Sequence, residues 1–476
     1  MKKGLYSGTF GSFIVFGWLM YIMLSPSEFV ILSTNDMHAS LDNMARLATA
    51  VKECRDTVFT IVVDAGDRWT GNAYVDLAKN RLPIIKLMNA VGYDIATLGN
   101  HDFDPGQKVL EEAVDCAEFD VICANMKSSG DNLNDVEGRE RIETPAGVAV
   151  DFIGVVTSYS NGHPDGNDNN FEGLQFEDPQ LVAERECKRS NGDVRVLLSQ
   201  MGDDRDMELV SRYDGYDILI GGHTHRILDT LINGTVVGQT GRKLKVVGAT
   251  KVKMRGKKIV NIEYENIPLK NYAKNAEVEA MIQEIEANPA LTKVVGSMAH
   301  STNHVGLCNL QTTIIKEATG ADIGVYHRGG VRIVEGLPEG DVTVKTLFDN
   351  EPFFSQVHTA MVTPEQLRKL IITKYNDTVN AKESHCIDLY ATTPYTIITD
   401  EDGEAYDVKF PLLKEGRKYK LAIADYVARN YKAFECEDEV RLPALVYDLD
   451  VAYFKANSPV KVSNKSLQSV VVRKKR

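Results

Sequence analysis

The chain reads as an α/β protein of two domains, and three observations predict this. Between Glu28 and Glu265, short β-branched runs alternate with amphipathic stretches, the pattern of sheets layered with helices. From Asn266 to Asn288 the sequence turns to charged residues and alanines without glycine, a helix-prone connector that Pro289 stops. At 476 residues the chain also exceeds the roughly 250 to 300 at which a single core stops growing.

The elements follow in order. Lys2-Lys3 precede an apolar run from Phe13 to Leu24, and Ser25-Pro26-Ser27 follow it, which is the order of parts in a secretory signal over residues 1–27. The run is shorter than the roughly 20 residues of a membrane span and lacks a small-x-small cleavage site after it. Export with cleavage is the first expectation and an uncleaved signal anchor the second. A first domain over 28–265 contains strands at Phe29-Leu32, Val58-Val63, Ile95-Leu98, Val121-Cys123, Phe152-Val156, Val194-Leu198 and Ile218-Ile220. Leu41, Met44, Ala48 and Val51 mark one helical face between the first two strands, and Leu82, Ile85, Leu87 and Met88 mark another before the third. Thr235 to Tyr264, rich in Val and Ile with glycine punctuation, closes the domain as strands and hairpins. A helical linker over 266–298 leads to a second α/β domain over 299–470, with turns at Gly329-Gly330, Pro338-Glu339-Gly340 and Asp402-Gly403, and a basic tail over 471–476.

Composition narrows the function. A net charge of -13 opposes a nucleic-acid polymer as partner, because such binding needs a positive field, but it leaves room for a small charged substrate in a metal-lined cleft. The seven cysteines include no CxxC pair, so they form no thiolate metal site; they read as small buried hydrophobes, with one or two disulfides open if the chain is exported.

Polar residues cluster where the predicted strands end. Asp36 and His38 follow Ile31-Leu32, Asp64 and Asp67 follow Ile61-Val63, Asn100 to Asp104 follow Ile95-Leu98, and His223 and His225 follow Ile218-Ile220. Loops at the carboxyl edge of an open α/β sheet converge without disturbing it. One such cluster alone is an ordinary turn with a capping side chain. Four in one domain read as a ligand set of carboxylate, imidazole and amide, which suits Zn, Mn, Fe or Co without selecting among them.

Thr34-Asn35-Asp36-Met37-His38, Asp64-Ala65-Gly66-Asp67, Gly99-Asn100-His101-Asp102-Phe103-Asp104 and Gly221-Gly222-His223-Thr224-His225 resemble, in order, the motifs of the 5'-nucleotidase family of calcineurin-like metallophosphoesterases. Ala124-Asn125 and Leu198-Ser199-Gln200-Met201-Gly202 fit the same pattern. The resemblance implies a four-layer αββα sandwich followed by an α/β substrate-binding domain. It implies two divalent metal ions, one held by Asp36, His38, Asp67 and His225, the other by Asp67, Asn100, Gln200 and His223. A metal pair activates a water and neutralises phosphoryl charge. His101, with Asp104 on its other ring nitrogen, then assists the leaving oxygen. Two departures stand out: Gln200 replaces the family's histidine, and Ala39 replaces a glycine.

The second half follows the family less closely. His327-Arg328-Gly329-Gly330-Val331-Arg332 looks like its Asn-Gly-Gly-Gly-Ile-Arg loop, whose arginine suits a phosphate. Phe353 and Tyr426 fall where two base-stacking phenylalanines are expected. Lys432 stands in place of a ribose-binding aspartate and cannot accept a hydrogen bond. No arginine or lysine lies between Val294 and Ile315, where the family has a phosphate-binding arginine; His300 or His304 could substitute, but each reads first as an unpaired surface histidine. The expectation is an exported hydrolase of a nucleoside monophosphate. A 2',3'-cyclic nucleotide, a pyrophosphate such as a nucleotide sugar, and a catalytically impaired binding protein are the alternatives.

Overall fold

The computed structural model describes residues 26–159, 162–380, 387–430 and 437–474, with the side chains of 429–430 and 437–439 left aside. The expected signal over 1–27 therefore falls almost wholly outside the described residues, as do Cys386, Cys436 and Lys432. Two compact units form, one of residues up to Thr70 with Val75–Ala287, the other of Gly71–Tyr74 with Asn288 onward.

The first unit holds two six-stranded sheets. One is built from β1 (Pro26–Thr34), β2 (Phe59–Asp64), β3 (Ile95–Thr97), β4 (Asp120–Ile122), β13 (Val246–Arg255) and β14 (Lys258–Pro268), in the order β14-β13-β1-β2-β3-β4. The other comprises β6 (Arg139–Glu143), β7 (Ala149–Val156), β9 (Val194–Gln200), β10 (Ile218–Gly221), β11 (Ile227–Ile232) and β12 (Thr235–Thr240), in the order β11-β12-β10-β9-β7-β6. Short strands β5 (Met126–Ser128) and β8 (Leu174–Phe176) pair with each other. Alternate residues of the two large sheets make the core between them: Phe29, Ile31, Ile61 and Val63 from one meet Val150, Phe152, Val196 and Leu198 from the other. Helices Met44–Arg55 and Pro83–Val91 cover the first sheet's side, and Pro179–Arg189 and Asp203–Arg212 cover the second through Ala183, Leu209 and Val210. This is the four-layer αββα sandwich.

Each expected strand is present, and the limits move by chemistry the hydrophobic pattern does not carry. Pro83 opens the second helix and Gly92, at φ 85°, ends it, a left-handed cap that glycine adopts without strain. The expected helical linker over 266–298 is helix only over Ala276–Glu286: Asn266–Pro268 pair with Val246–Gly248 as the end of β14, and Val294–Met298 is a strand paired with Gly340–Thr343, in a second unit that begins at Asn288 rather than 299. That helix packs on Met44–Arg55 within the first unit.

In the second unit a five-stranded sheet runs in the order Leu389–Ala391, Ile323–His327, Tyr419–Ala424, Gln356–Val362, Glu437–Leu445. Alternation splits its central strand between two cores. Ala422 and Ala424 pack with helix His304–Thr319, Leu421 and Ile423 with helix Pro364–Asn380. Among the described residues Cys54, Cys116, Cys123, Cys187 and Cys308 are free thiols, the last three buried.

Candidate metal centre

β1, β2 and β3 run parallel in the first sheet, and β7, β9 and β10 in the second. Loops after these strands therefore leave each sheet at one edge. Asp36 and His38 follow β1, Asp67 follows β2, Asn100 and His101 follow β3, Gln200 ends β9, and His223 and His225 follow β10.

Hydrogen bonds weld the loops together. Asp36 N donates to Gly66 O at 2.9 Å, His38 N to Asp67 O at 3.0 Å and Ala39 N to Arg68 O at 2.7 Å. The buried Arg68–Asp102 ion pair, at 2.8 Å, joins the second loop to the third, and Asp102 also accepts from Arg68 N and Gly99 N. Asn35 reaches the second sheet, donating to Gly241 O at 2.7 Å while accepting from Thr240 N at 2.8 Å. Backbone strain concentrates here. Asp36, His38, Asp67, His223 and His225 have φ of 48°, 46°, 59°, 74° and 58°, left-handed values that side chains other than glycine rarely adopt. Ala39, at φ 55°, takes this conformation without the glycine that would relieve it.

The side chains form a donor set. Ligand-type atoms of Asp36, His38 and His225 lie within 4.8 Å of one another, as do those of His38, Asp67 and His101. His38 Nδ1 donates to Thr70 O at 3.1 Å, which leaves its Nε2 a lone pair, and that atom lies 2.9 Å from His225 Nε2. His225 Nε2 is 3.5 Å from Asp36 Oδ1. His223 Nδ1 lies 3.0 Å from Asn100 Oδ1, and Asp67 Oδ1 accepts from His101 N at 2.9 Å. Burial, then the charge of Asp67, pushes the Asp36 carboxyl well up, although Asn35, Gln200 and the His223 amide hydrogen-bond it. Two buried carboxylates beside the buried imidazole of His38 and the half-buried ones of His101 and His225 fit a cation, which removes that repulsion.

Gln200 is the exception. Its Nε2 donates to Asp36 Oδ1 at 3.0 Å, and its Oε1, fully buried, has no hydrogen-bond partner. Beside the set, His101 Nδ1 donates to Asp104 Oδ2 at 2.8 Å, and Thr70 Oγ1 donates to the same oxygen at 2.6 Å.

In the second unit the five expected recognition residues form two contacts and an outlier. The His327 and Tyr426 rings lie 4.8 Å apart, and the Arg332 guanidinium sits over the Phe353 ring at 5.3 Å. Arg328 donates its backbone N–H to Asp388 O at 2.6 Å, with its Nε buried and unpartnered. Burial, then the charges of Lys374 and Arg332, hold His327 down to about 3, so its imidazole is neutral.

The calcineurin-like phosphoesterase family matches residues 29–226, and the 5'-nucleotidase C-terminal domain matches residues 290–439. The chain belongs to the 5'-nucleotidase family of calcineurin-like phosphoesterases. It is 27% identical over 409 residues to the trifunctional nucleotide phosphoesterase protein YfkN of Bacillus subtilis, matching 72% of this chain and 27% of that protein. Over 475 residues it is 25% identical to the Bacillus subtilis endonuclease YhcR, matching 85% of this chain and 37% of the relative. It thus spans only 27% and 37% of these relatives' length. The fold is that of the Thermus thermophilus 5'-nucleotidase precursor, at TM-score 0.79 and 18% identity over 93% of this chain and 99% of that one.

Within this family's pattern, one expectation is corrected. His300 and His304 are not unpaired surface residues: each is half-buried, and their Nε2 atoms donate to Val462 O at 2.9 Å and Val331 O at 2.8 Å. Lys374 was missed. Its charge acts on His327 and its Nζ lies 5.9 Å from the Tyr426 ring centroid, yet it sits mid-helix with no motif around it. Thr70, which touches both His38 and Asp104, and Tyr159, whose hydroxyl lies 3.1 Å from His223 Nε2, likewise carry no signal in the sequence, because neither stands in a ligand motif.

Proposed function

We propose that this chain is a dinuclear-metal phosphoester hydrolase of 5'-nucleotidase type, releasing phosphate from a nucleoside monophosphate. The observation that carries the reading is the convergence of Asp36, His38, Asp67, Asn100, His223 and His225 on one edge, with the His101–Asp104 pair beside them. Two divalent cations, from among Zn, Mn, Co and Fe, would be held by Asp36, His38, Asp67 and His225, and by Asp67, Asn100, Gln200 and His223. Bound there, such a pair supplies an activated water and positive charge at the phosphoryl group.

The chain's own residues do the rest. Thr70 O fixes the His38 tautomer, so that the Nε2 lone pair faces the site. Asp104 holds the His101 Nδ1 proton and stabilises the imidazolium, whose Nε2–H gives the leaving alkoxide its proton. Arg332 would bind phosphate with His327 and Arg328 near it, and Phe353 and Tyr426 would hold the base.

A second reading, another small phosphoester such as a 2',3'-cyclic nucleotide or nucleotide sugar, draws support from Arg332, which covers one face of the Phe353 ring. Export would follow from Lys2 to Leu24; among the described residues no helix is long and apolar enough to cross a membrane. The test is phosphate release from nucleoside monophosphates, cyclic nucleotides, nucleotide sugars and sugar phosphates, with Mn, Zn or Co and after chelation. Fastest metal-dependent turnover of a nucleoside monophosphate is expected. No turnover of any phosphoester at saturating metal would leave the impaired binding protein.

A further inference from the structure

His223 has two ring nitrogens on opposite sides, and each has a neighbour. Nδ1 lies 3.0 Å from Asn100 Oδ1, and Nε2 lies 3.1 Å from the Tyr159 hydroxyl. An amide oxygen carries no proton, so Nδ1 and Oδ1 either share the Nδ1 proton or turn two lone pairs toward one cation. In the second case the imidazole proton must sit on Nε2, and Tyr159 accepts it. In the first, Nε2 is bare, and the phenol donates to it instead. A hydroxyl can do both, which a carboxylate or a carbonyl cannot.

Tyr159, 44% exposed, stands on a loop whose backbone is tied to the site. It lies three residues beyond β7, where Thr157 N donates to Gln200 O at 3.1 Å and Tyr159 N to His163 O at 3.2 Å. Farther along the same loop, Asn170 Nδ2 donates to Asp104 O at 3.3 Å and Phe171 packs on Phe103 at 5.2 Å. The connection from β7 to β8 thus touches His223 at one end and the His101–Asp104 loop at the other.

We infer that Tyr159 is a positioning residue of the metal centre: its hydroxyl binds the outer nitrogen of His223 and keeps Nδ1 aimed, beside Asn100 Oδ1, at the second cation. Groups in this outer position commonly change metal affinity by roughly 10- to 100-fold. The inference rests on the two-metal reading.

The experiment titrates cobalt(II) chloride into the full-length metal-free protein, following the visible absorption of the bound ion, for wild type and Tyr159→Phe. The phenylalanine keeps the ring and removes only the hydroxyl. Expected are two equivalents in both, an unchanged first step that also reports an intact fold, and a second step weakened about 10- to 100-fold in the variant. Superimposable second steps would overturn the role of Tyr159 alone, whereas fewer than two equivalents in wild type would overturn the two-metal reading with it. A measurement on wild type needs no variant. With cadmium-113 bound to nitrogen-15-labelled protein, spin coupling is expected to Nδ1 of His223, and coupling to Nε2 would overturn the inference.

Discussion

His101 Nδ1 and Asp104 Oδ2 are 2.8 Å apart, and the Thr70 hydroxyl holds that oxygen from the far side at 2.6 Å. Carboxylate and ring are therefore fixed before any substrate arrives. If His101 acts on the leaving oxygen, His101→Ala lowers kcat by about 10²- to 10⁴-fold with a small change in KM, because the contact is made in the transition state. Asp104→Asn, which leaves the ring in place but removes the charge that stabilises the imidazolium, gives a smaller loss of the same kind. Steady-state kinetics at saturating metal decides this, and an unchanged kcat for His101→Ala removes the residue from the mechanism.

Gly99 stands directly against Asp67. A Cβ at that position would run into Asp67 Oδ1 and its backbone N, and backbone cannot swing aside as a flexible side chain does. Gly99→Ala is expected to fold with the Asp67 carboxylate displaced; if Asp67 bridges two cations, metal binding falls by at least an order of magnitude in both steps. Metal analysis after dialysis against micromolar Mn measures it. Two equivalents retained by Gly99→Ala would mean that Asp67 is not the residue on which both cations depend.

The acid stability of the second unit is expected to depend on His327. Burial, then Lys374 and Arg332, hold its folded-state value down to about 3, with the rings of Tyr326 and Tyr426 as its other neighbours. An unfolded histidine titrates near 6.5. The unfolded chain thus takes up a proton that the folded chain refuses, and stability present above about pH 6.5 is lost as pH falls toward 3. The slope is up to about 1.4 kcal/mol per pH unit. Urea denaturation at pH 7 and pH 5 should show a smaller loss for His327→Asn, which does not titrate, than for wild type. Identical losses would assign the acid sensitivity to other groups.

The sequence displays the first unit's central strands because they are buried on both faces, so Phe29-Leu32 or Ile218-Ile220 stand out as unbroken apolar runs. It displays the candidate metal ligands because Asp36, Asp67, Asn100 and His223 sit directly after those runs. Thr70 and Tyr159 stayed hidden, since a hydroxyl acquires its role only from the atoms brought to it from distant strands. Lys374 is similar: a lysine within an amphipathic helix is indistinguishable from a solvated one until the fold sets it near Tyr426. Element limits shifted where pairing decided them, as when Asn266–Pro268 joined β14 opposite Val246–Gly248.

Gln200 is where this chain departs from its family at the metals, and its contacts sharpen what a substitution should do. The amide gives its N–H to Asp36 and leaves Oε1 buried without a partner, packed against Gly222 so closely that a Cβ there would collide with it. An unpartnered buried carbonyl oxygen is destabilising by about 1 to 3 kcal/mol, and a cation would relieve it. If Oε1 is a ligand, Gln200→His substitutes a nitrogen donor, tightens the second cation and moves preference toward Zn, since imidazole suits that ion better than a neutral amide. Activity in limiting metal then rises. If Gln200 instead serves only to hold Asp36 through its N–H, affinity for the second cation rests on Asp67, Asn100 and His223, and the histidine changes little. Titrating Zn and Mn separately into wild type and Gln200→His, while following phosphate release, separates the two. A tighter Zn step with Mn unchanged is the expected result, and superimposable curves with the same order of metals would remove Gln200 from the ligand set.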